Sequence, residues 1–241
     1  MRPPGKHPQR GLSLIELMVG TAIGLLIASS AATLFMAQLG SVRRLLLEAR
    51  VHQDLRSAAD LMTRDLRRAS HWGHALGGVT LIHRPNAAPD APSASPFAPA
   101  PPRNPYAEIA ADPLASSLAY SLSREDAEND QIDLAERFGF RLNRGEHTLQ
   151  MLTGSGTWQT LTDPGVVTLP DDGLAITLTE TPVDLRSLCP STCTGPDCPS
   201  VTLREVAVTL KARATADPAI VRRLETRVRL RNDRLAGRCP A

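Results

Sequence analysis

The feature that most constrains this chain is the run LSLIELMVGTAIGLLIASSAATLFMAQLG, Leu12 to Gly40, which holds a single ionisable residue, Glu16. A helix crosses the hydrocarbon core of a bilayer with about 20 apolar residues, so this run is long enough to span one. The segment before it, MRPPGKHPQR, is short, polar and basic through Arg2, Lys6 and Arg10. A basic flank stays on the cytoplasmic side, which sends everything after Gly40 toward the periplasm. A secretory signal peptide is the ordinary alternative, but its apolar region covers only about 7–15 residues. Glu16 also argues against it. An acid at the centre of a spanning helix costs about 2.5–3.5 kcal/mol, less near the helix start, and still asks for a partner. Acids inside a membrane segment are read first as functional.

The residues around that acid carry a resemblance. Arg10-Gly11-Leu12-Ser13-Leu14-Ile15-Glu16-Leu17-Met18-Val19 resembles the type IV prepilin processing motif, in which glycine, a hydrophobic residue, [ST]-L-[IL]-E and further apolar residues follow one another. The resemblance implies that a membrane prepilin peptidase cuts between Gly11 and Leu12 and methylates the new amino group of Leu12. It also implies that Glu16 pairs with the N-terminal ammonium of a neighbouring subunit. In a low dielectric that pairing offsets the burial of both charges only when the geometry is good. Leu12 stands where the family usually has phenylalanine, and Thr33 stands where many major pilins have a kinking proline. The missing proline points to a minor pilin or pseudopilin. Gly20 and Gly24 form a small-xxx-small site for close helix approach.

Beyond Gly40 the apolar pattern becomes one-sided. Leu55, Ala58, Ala59, Met62, Leu66 and Ala69 recur at three- and four-residue spacing among Arg50, Arg56, Asp60, Arg64, Asp65, Arg67 and Arg68. That is an amphipathic helix lying on the protein's own sheet. No proline occurs between Pro8 and Pro85, so one helix from Leu12 to about Ser70 is expected, ending in a frayed His71-Trp72-Gly73-His74. The stretch from Arg84 to Pro105 is dense in proline, alanine and serine and reads as an extended loop.

The period then becomes two. Strands are expected at Ser117–Leu122, Gln131–Ala135, Arg137–Asn143, His147–Leu152, Thr157–Leu161, Val166–Leu169 and Leu174–Glu180, with a hairpin turn around Gly145. The clearest pair is Val201–Ala214, with Val206, Val208 and Leu210 alternating, and Ile220–Arg231, with Leu224, Val228 and Leu230 alternating. An antiparallel sheet with one wet face explains both. This strand order is similar to that of PilW-type minor pilins and, more loosely, of the J-type minor pseudopilin of type II secretion.

Cys189, Cys193, Cys198 and Cys239 could hold zinc, but the expected periplasmic location favours two disulfides. Three connectivities are open, and Cys239 is expected to join one cysteine of the 189–198 loop. The acidic segment Glu125 to Asp133 lacks the glycine and distal glutamate of a calcium loop and reads as solvated. His71 and His74 have no acidic or thiol ligand beside them. No nucleophile elbow or phosphate-binding glycine loop occurs, and no metal, cofactor or catalytic constellation is expected. The near-neutral net charge of +2 hides clustering of arginine on the last strand, at Arg223, Arg227, Arg229 and Arg231, with Lys211 and Arg213 alongside. Such a face suits DNA phosphates, acidic lipid headgroups or an acidic partner surface, the last preferred, while pairing with the chain's own Glu205 and Glu225 is the plain alternative. Nucleic acid is disfavoured, because aromatic residues for stacking are only 3% of the chain.

The expected fold is therefore α+β and pilin-like, a long N-terminal helix with its first half transmembrane, packed on an antiparallel β-sheet head. The expected layout is a leader at 1–11, a membrane and filament-core helix at 12–40, an amphipathic periplasmic half at 41–72, a loop at 73–112 and a β-rich head at 113–241. The resemblance implies a structural subunit without enzymatic activity, held in the inner membrane with a cytoplasmic N-terminus. Its partners would be prepilin peptidase, other minor pilins, the major pilin and inner-membrane lipid, in type IV pilus assembly. A type II secretion pseudopilin is the alternative, followed by a DNA-binding uptake pilin.

Overall fold

The computed structural model describes residues 13–73, 104–124, 128–189, 191–237 and 239. The leader, most of the proline-rich stretch and part of the acidic segment lie outside these residues. The chain divides into two compact units, Met1–Leu46 and Leu47–Ala241. Helix α1, Leu14–Leu66, supplies the described part of the first unit and the start of the second.

In the first unit every described residue is exposed, large apolar side chains such as Ile23, Leu26, Leu34 and Phe35 included. The hydroxyls of Thr21, Ser29, Ser30 and Thr33 donate to the carbonyls of Met18, Leu26, Leu26 and Ser30 one turn back. Their polar atoms are thus satisfied inside the helix, which is what an apolar solvent requires. By length and composition this helix is apolar enough to cross a membrane.

In the second unit α1 turns one face inward. Val51, Leu55, Ala58, Ala59, Met62 and Leu66 are buried, the spacing of a single helical stripe. The helix tightens after Leu66, with Arg68 and Ala69 donating three residues back to Asp65 and Leu66. The expected frayed end does not form. Ser70 takes φ of 63°, its N–H donates to the Ser121 carbonyl, and Trp72 is buried with its indole N–H on Asp130. His74 lies outside the described residues.

The expected antiparallel β head forms, and it consists of two sheets. The first is an antiparallel meander of β1 (Ile109–Asp112), β2 (Ser117–Ser121), β3 (Arg137–Asn143), β4 (Thr148–Thr153) and β5 (Thr157–Thr160), paired in sequence order. The second is built on β8 (Ser200–Ala214). Along one edge of β8 run β6 (Val167–Thr168) and β7 (Leu174–Asp184), and along the other run β9 (Val221–Arg229) and β10 (Arg234–Ala236). Two sheets form because each has one apolar face, and one helical stripe can be shared between them. Leu118, Tyr120, Phe138, Phe140, Leu142 and Leu149 of the first join Ile176, Val206, Val208, Leu210 and Val228 of the second in one cluster with α1.

Three sequence expectations need correction. Gln131–Ala135 is not a strand. Its end enters a short 3-10 turn, Leu134–Glu136, whose Asp133 and Glu136 cap one another reciprocally. Strand β1 falls inside the stretch expected as loop, and β10 was not expected because its three residues show no alternation. Arg204 sits on the inward side of β8 and is buried, its guanidinium donating to the carbonyls of Ala107 and Asn232. It ties the chain entering β1 to the chain entering β10.

Leu55 is fully buried in the stripe that both sheets share. Leu55→Ala should therefore lower stability by about 2–5 kcal/mol, the usual cost of a large-to-small core change. Urea unfolding of the detergent-solubilised chain, followed by circular dichroism, measures it. Leu61→Ala, on the exposed side of the same helix, should stay within about 0.5 kcal/mol.

Candidate functional site

Gly11 and Leu12 lie outside the described residues, and the described chain starts at Ser13. Glu16 occupies the first turn of α1, and its Oε2 accepts a hydrogen bond from the Ser13 N–H at 3.0 Å. A carboxylate in the first helical turn is stabilised there by the free N–H groups. The acid is exposed, so its carboxylate is open to the surroundings. Gly20 and Gly24 follow one turn apart, and a Cβ added at either would meet nothing within 4 Å in this chain.

The basic residues separate by strand parity. Arg223, Arg227 and Arg229 lie on the exposed side of β9, with Glu225 among them. Their neighbours across β8 are Lys211 opposite Arg223, Ala207 opposite Arg227 and Glu205 opposite Arg229. Arg227 meets Glu225 at 3.5 Å, and Arg229 meets Asp233 at 3.2 Å. Lys211 is held by Asp172 at 2.6 Å. Arg222 points the other way and bonds Glu48 of α1. Arg231 follows the strand and is exposed.

The four cysteines form two disulfides, Cys189–Cys239 and Cys193–Cys198. The first returns the chain after β10 to the 3-10 turn Arg186–Leu188 that follows β7. The approach is close. Gly237 takes φ of 75° beneath the Cys198 carbonyl, where a Cβ would collide with backbone.

The described part of the acidic segment is no free loop. Glu128 accepts from the Gly73 N–H at 2.9 Å, the Tyr106 hydroxyl at 2.9 Å and the Asp130 N–H at 3.1 Å. Burial works against its charge, yet hydrogen bonds from the Ser123 hydroxyl, Gly73, Asp130 and Tyr106 prevail and hold its carboxyl down at about 2. Glu136 is buried and accepts from the Arg124 and Asp133 N–H groups and the Tyr106 hydroxyl. Burial first, and then these two carboxylates, push the Tyr106 phenol upward. Sequence reasoning missed this cluster. Its signal was the capping pattern Asp133 to Glu136 beside a lone tyrosine at the loop end.

Among the described residues no three His, Cys, Asp or Glu stand close enough to hold a metal ion. An open depression is lined by His147, Thr168, Asp171 and Arg213, and His147 Nδ1 lies 3.2 Å from the Leu169 carbonyl.

Residues 44–230 match the profile of a family described as prepilin peptidase-dependent protein B. Residues 6–32 match the prokaryotic N-terminal methylation motif. No curated protein and no solved structure matches the chain.

Two outcomes follow from this geometry. Intact mass after alkylation should show no free thiols, and Cys239→Ser with Cys189→Ser should cost about 2–4 kcal/mol in urea unfolding. Glu128 has a depressed folded pKa, so its contribution is complete above the ordinary value of 4.5 and is lost as pH falls toward about 2. Unfolding midpoints of wild type and Glu128→Gln should therefore differ at neutral pH and converge across that acid window.

Proposed function

The chain belongs to the prepilin peptidase-dependent protein B family, and from that premise we propose that it is a minor pilin of PilW type that takes part in priming type IV pilus assembly. It is a pilin-like protein of type IV pilus or pseudopilus systems, processed by prepilin peptidase, and pilin-like families are structural rather than enzymatic. The finer reading rests on one observation. The methylation motif runs directly into an apolar helix whose residues 13–46 are exposed all round, with Glu16 as the one acid between Leu12 and Gly40. Such a surface calls for lipid before assembly and for other helices after it.

In this reading the peptidase cuts after Gly11 and methylates Leu12, leaving a cationic N-terminus one turn before Glu16. The carboxylate of Glu16 then meets the N-terminal ammonium of a neighbouring subunit as the helices pack. Desolvation is repaid only when both charges enter together, so the pair favours assembly and sets register. Gly20 and Gly24 provide the flat strip along which a second helix approaches. Thr33 stands in place of a proline and donates its hydroxyl to the Ser30 carbonyl, in keeping with a minor rather than a major subunit. The basic leader would remain cytoplasmic, the helix would lie in the inner membrane and the head, with its two disulfides, in the periplasm.

N-terminal sequencing of the matured chain tests the processing step and should begin at N-methylated Leu12. A product starting near Ala32 or Ala37 would overturn the reading. Glu16→Ala should leave cleavage intact and reduce incorporation into sheared pili, assayed by immunoblot. Unchanged incorporation would remove the pairing role.

A further inference from the structure

The second sheet leaves one long edge open. Strand β9 runs for nine residues with an unbroken register, Arg229 opposite Glu205 through Val221 opposite Arg213. Its other edge has no backbone partner among the described residues. The hydrogen-bond parity fixes which groups are offered there. Leu230 N–H donates to the Arg204 carbonyl, and Ala214 N–H donates to the Ile220 carbonyl, so even-numbered residues of β9 bond to β8. Odd-numbered residues of β8 bond the other way, as Lys211 N–H does to the Gly173 carbonyl. Val221, Arg223, Glu225, Arg227 and Arg229 therefore direct their N–H and C=O groups outward.

Open edges invite another strand, and proteins blunt them with proline, bulges, short length or charge. The other edges here use the first kinds: β1 and β5 have four residues each, and β7 carries Pro182. Strand β9 has no proline, glycine or bulge, and charge alone guards it. That charge is net positive. The strand holds Arg222, Arg223, Arg227 and Arg229 against Glu225, and Lys211 stands directly opposite Arg223. Like charges facing each other across a ladder are destabilising; Asp172 already answers Lys211, and a carboxylate on an adjoining strand would answer Arg223. Arg227–Glu225 is an exposed pair that yields readily to a better partner, and Arg229 is itself exposed although it meets the partly buried Asp233.

We propose that the outer edge of β9 takes up an extended acidic segment of another polypeptide as an added antiparallel strand. The inference deepens the assembly role proposed above and rests on it for where such a partner is met. Side chains directly opposite share a face in an antiparallel pair, which sets the sequence the edge selects. Carboxylates belong opposite Arg229, Arg227 and Arg223, and a neutral or basic residue belongs opposite Glu225. The selected pattern, read from the N-terminus, is acid-x-acid-x-Lys-x-acid. Main-chain bonds supply affinity and the alternating charges supply selection.

The test uses the full chain in detergent micelles and a labelled peptide, Glu-Val-Glu-Thr-Lys-Val-Glu, with fluorescence anisotropy for binding and amide exchange for location. Binding should slow exchange at the Arg223, Glu225 and Arg227 amides and leave the Leu224 and Val228 amides, already bonded to β8, unchanged. The same peptide N-methylated at alternate residues should not bind. Glu225→Pro removes an outward N–H without touching the β8 ladder, so it should stay folded by circular dichroism and lose binding. Arg223→Glu with Arg227→Glu should weaken binding by roughly tenfold or more, and a peptide with Lys in place of Glu should recover it. Binding that survives Glu225→Pro would assign the arginines to a polyanion face and overturn strand addition. Slowed exchange at these amides that rises with protein concentration, without peptide, would make a second copy the occupant and overturn the acidic partner. Absence of peptide binding would refute the proposal while leaving N-terminal processing and Glu16 untouched.

Discussion

Both sheets depend on one stripe of α1. A twisted antiparallel sheet has an apolar face that must be covered, and two sheets normally cover each other. Here Val51, Leu55, Ala58, Ala59, Met62 and Leu66 are buried in the same cluster as both sheets' apolar faces. The stripe alternates large and small residues, with Ala58 and Ala59 between Leu55 and Met62. Phe140 and Val208 of the two sheets are fully buried in the cluster that also holds these small residues.

Polar clamps then fix how each sheet meets the helix. Tyr120 of β2 donates its hydroxyl to Asp65 of α1, which also receives Arg68. Burial, and then the neighbouring carboxylate, push the Tyr120 phenol up, which favours its neutral, donating form. On the other side Arg222 of β9 reaches Glu48, and Asn232 donates its amide to the Ala69 carbonyl. These contacts are directional where the hydrophobic stripe is not, and they exclude the slip of one helical turn that apolar packing alone would tolerate.

Much of this was legible because period carries information. The 3.6-residue spacing of Leu55 to Ala69 gave the buried face, and alternation in β8 and β9 gave their pairing. Parity extended back by one step would also have placed Arg204 inward, since it shares the side of Val206 and Val208. A buried arginine runs against composition, and its carbonyl partners Ala107 and Asn232 are remote in sequence. Strands β1 and β10 were illegible because four and three residues cannot display a period. Gln131–Ala135 misled for the opposite reason: its alternation is real, but Asp133 and Glu136 use it to cap a turn. Glu16 stands out as a candidate through charge in an apolar run, whereas the disulfide partner of each cysteine needed the fold.

The helix meets its solvents in sequence order. From residue 13 to 40 it offers largely apolar surface on every side, Arg43 and Arg44 follow, and from residue 47 its apolar surface narrows to the stripe that the sheets cover. A helix of that kind cannot be satisfied by water or by its own chain. Lipid satisfies it singly, and other helices of the same kind satisfy it collectively. Moving from lipid to helices changes little hydrophobic energy, because both surroundings are apolar, so packing and polar contacts must decide. That puts the decision on the few non-uniform features of the run: two glycines one turn apart and one carboxylate in the first turn. The glycines permit approach without specifying it. In the proposed pairing with a neighbour's N-terminal ammonium the carboxylate would specify, because a neighbour set off by one turn would leave both charges unpaired in a low dielectric, a penalty of several kcal/mol per ion.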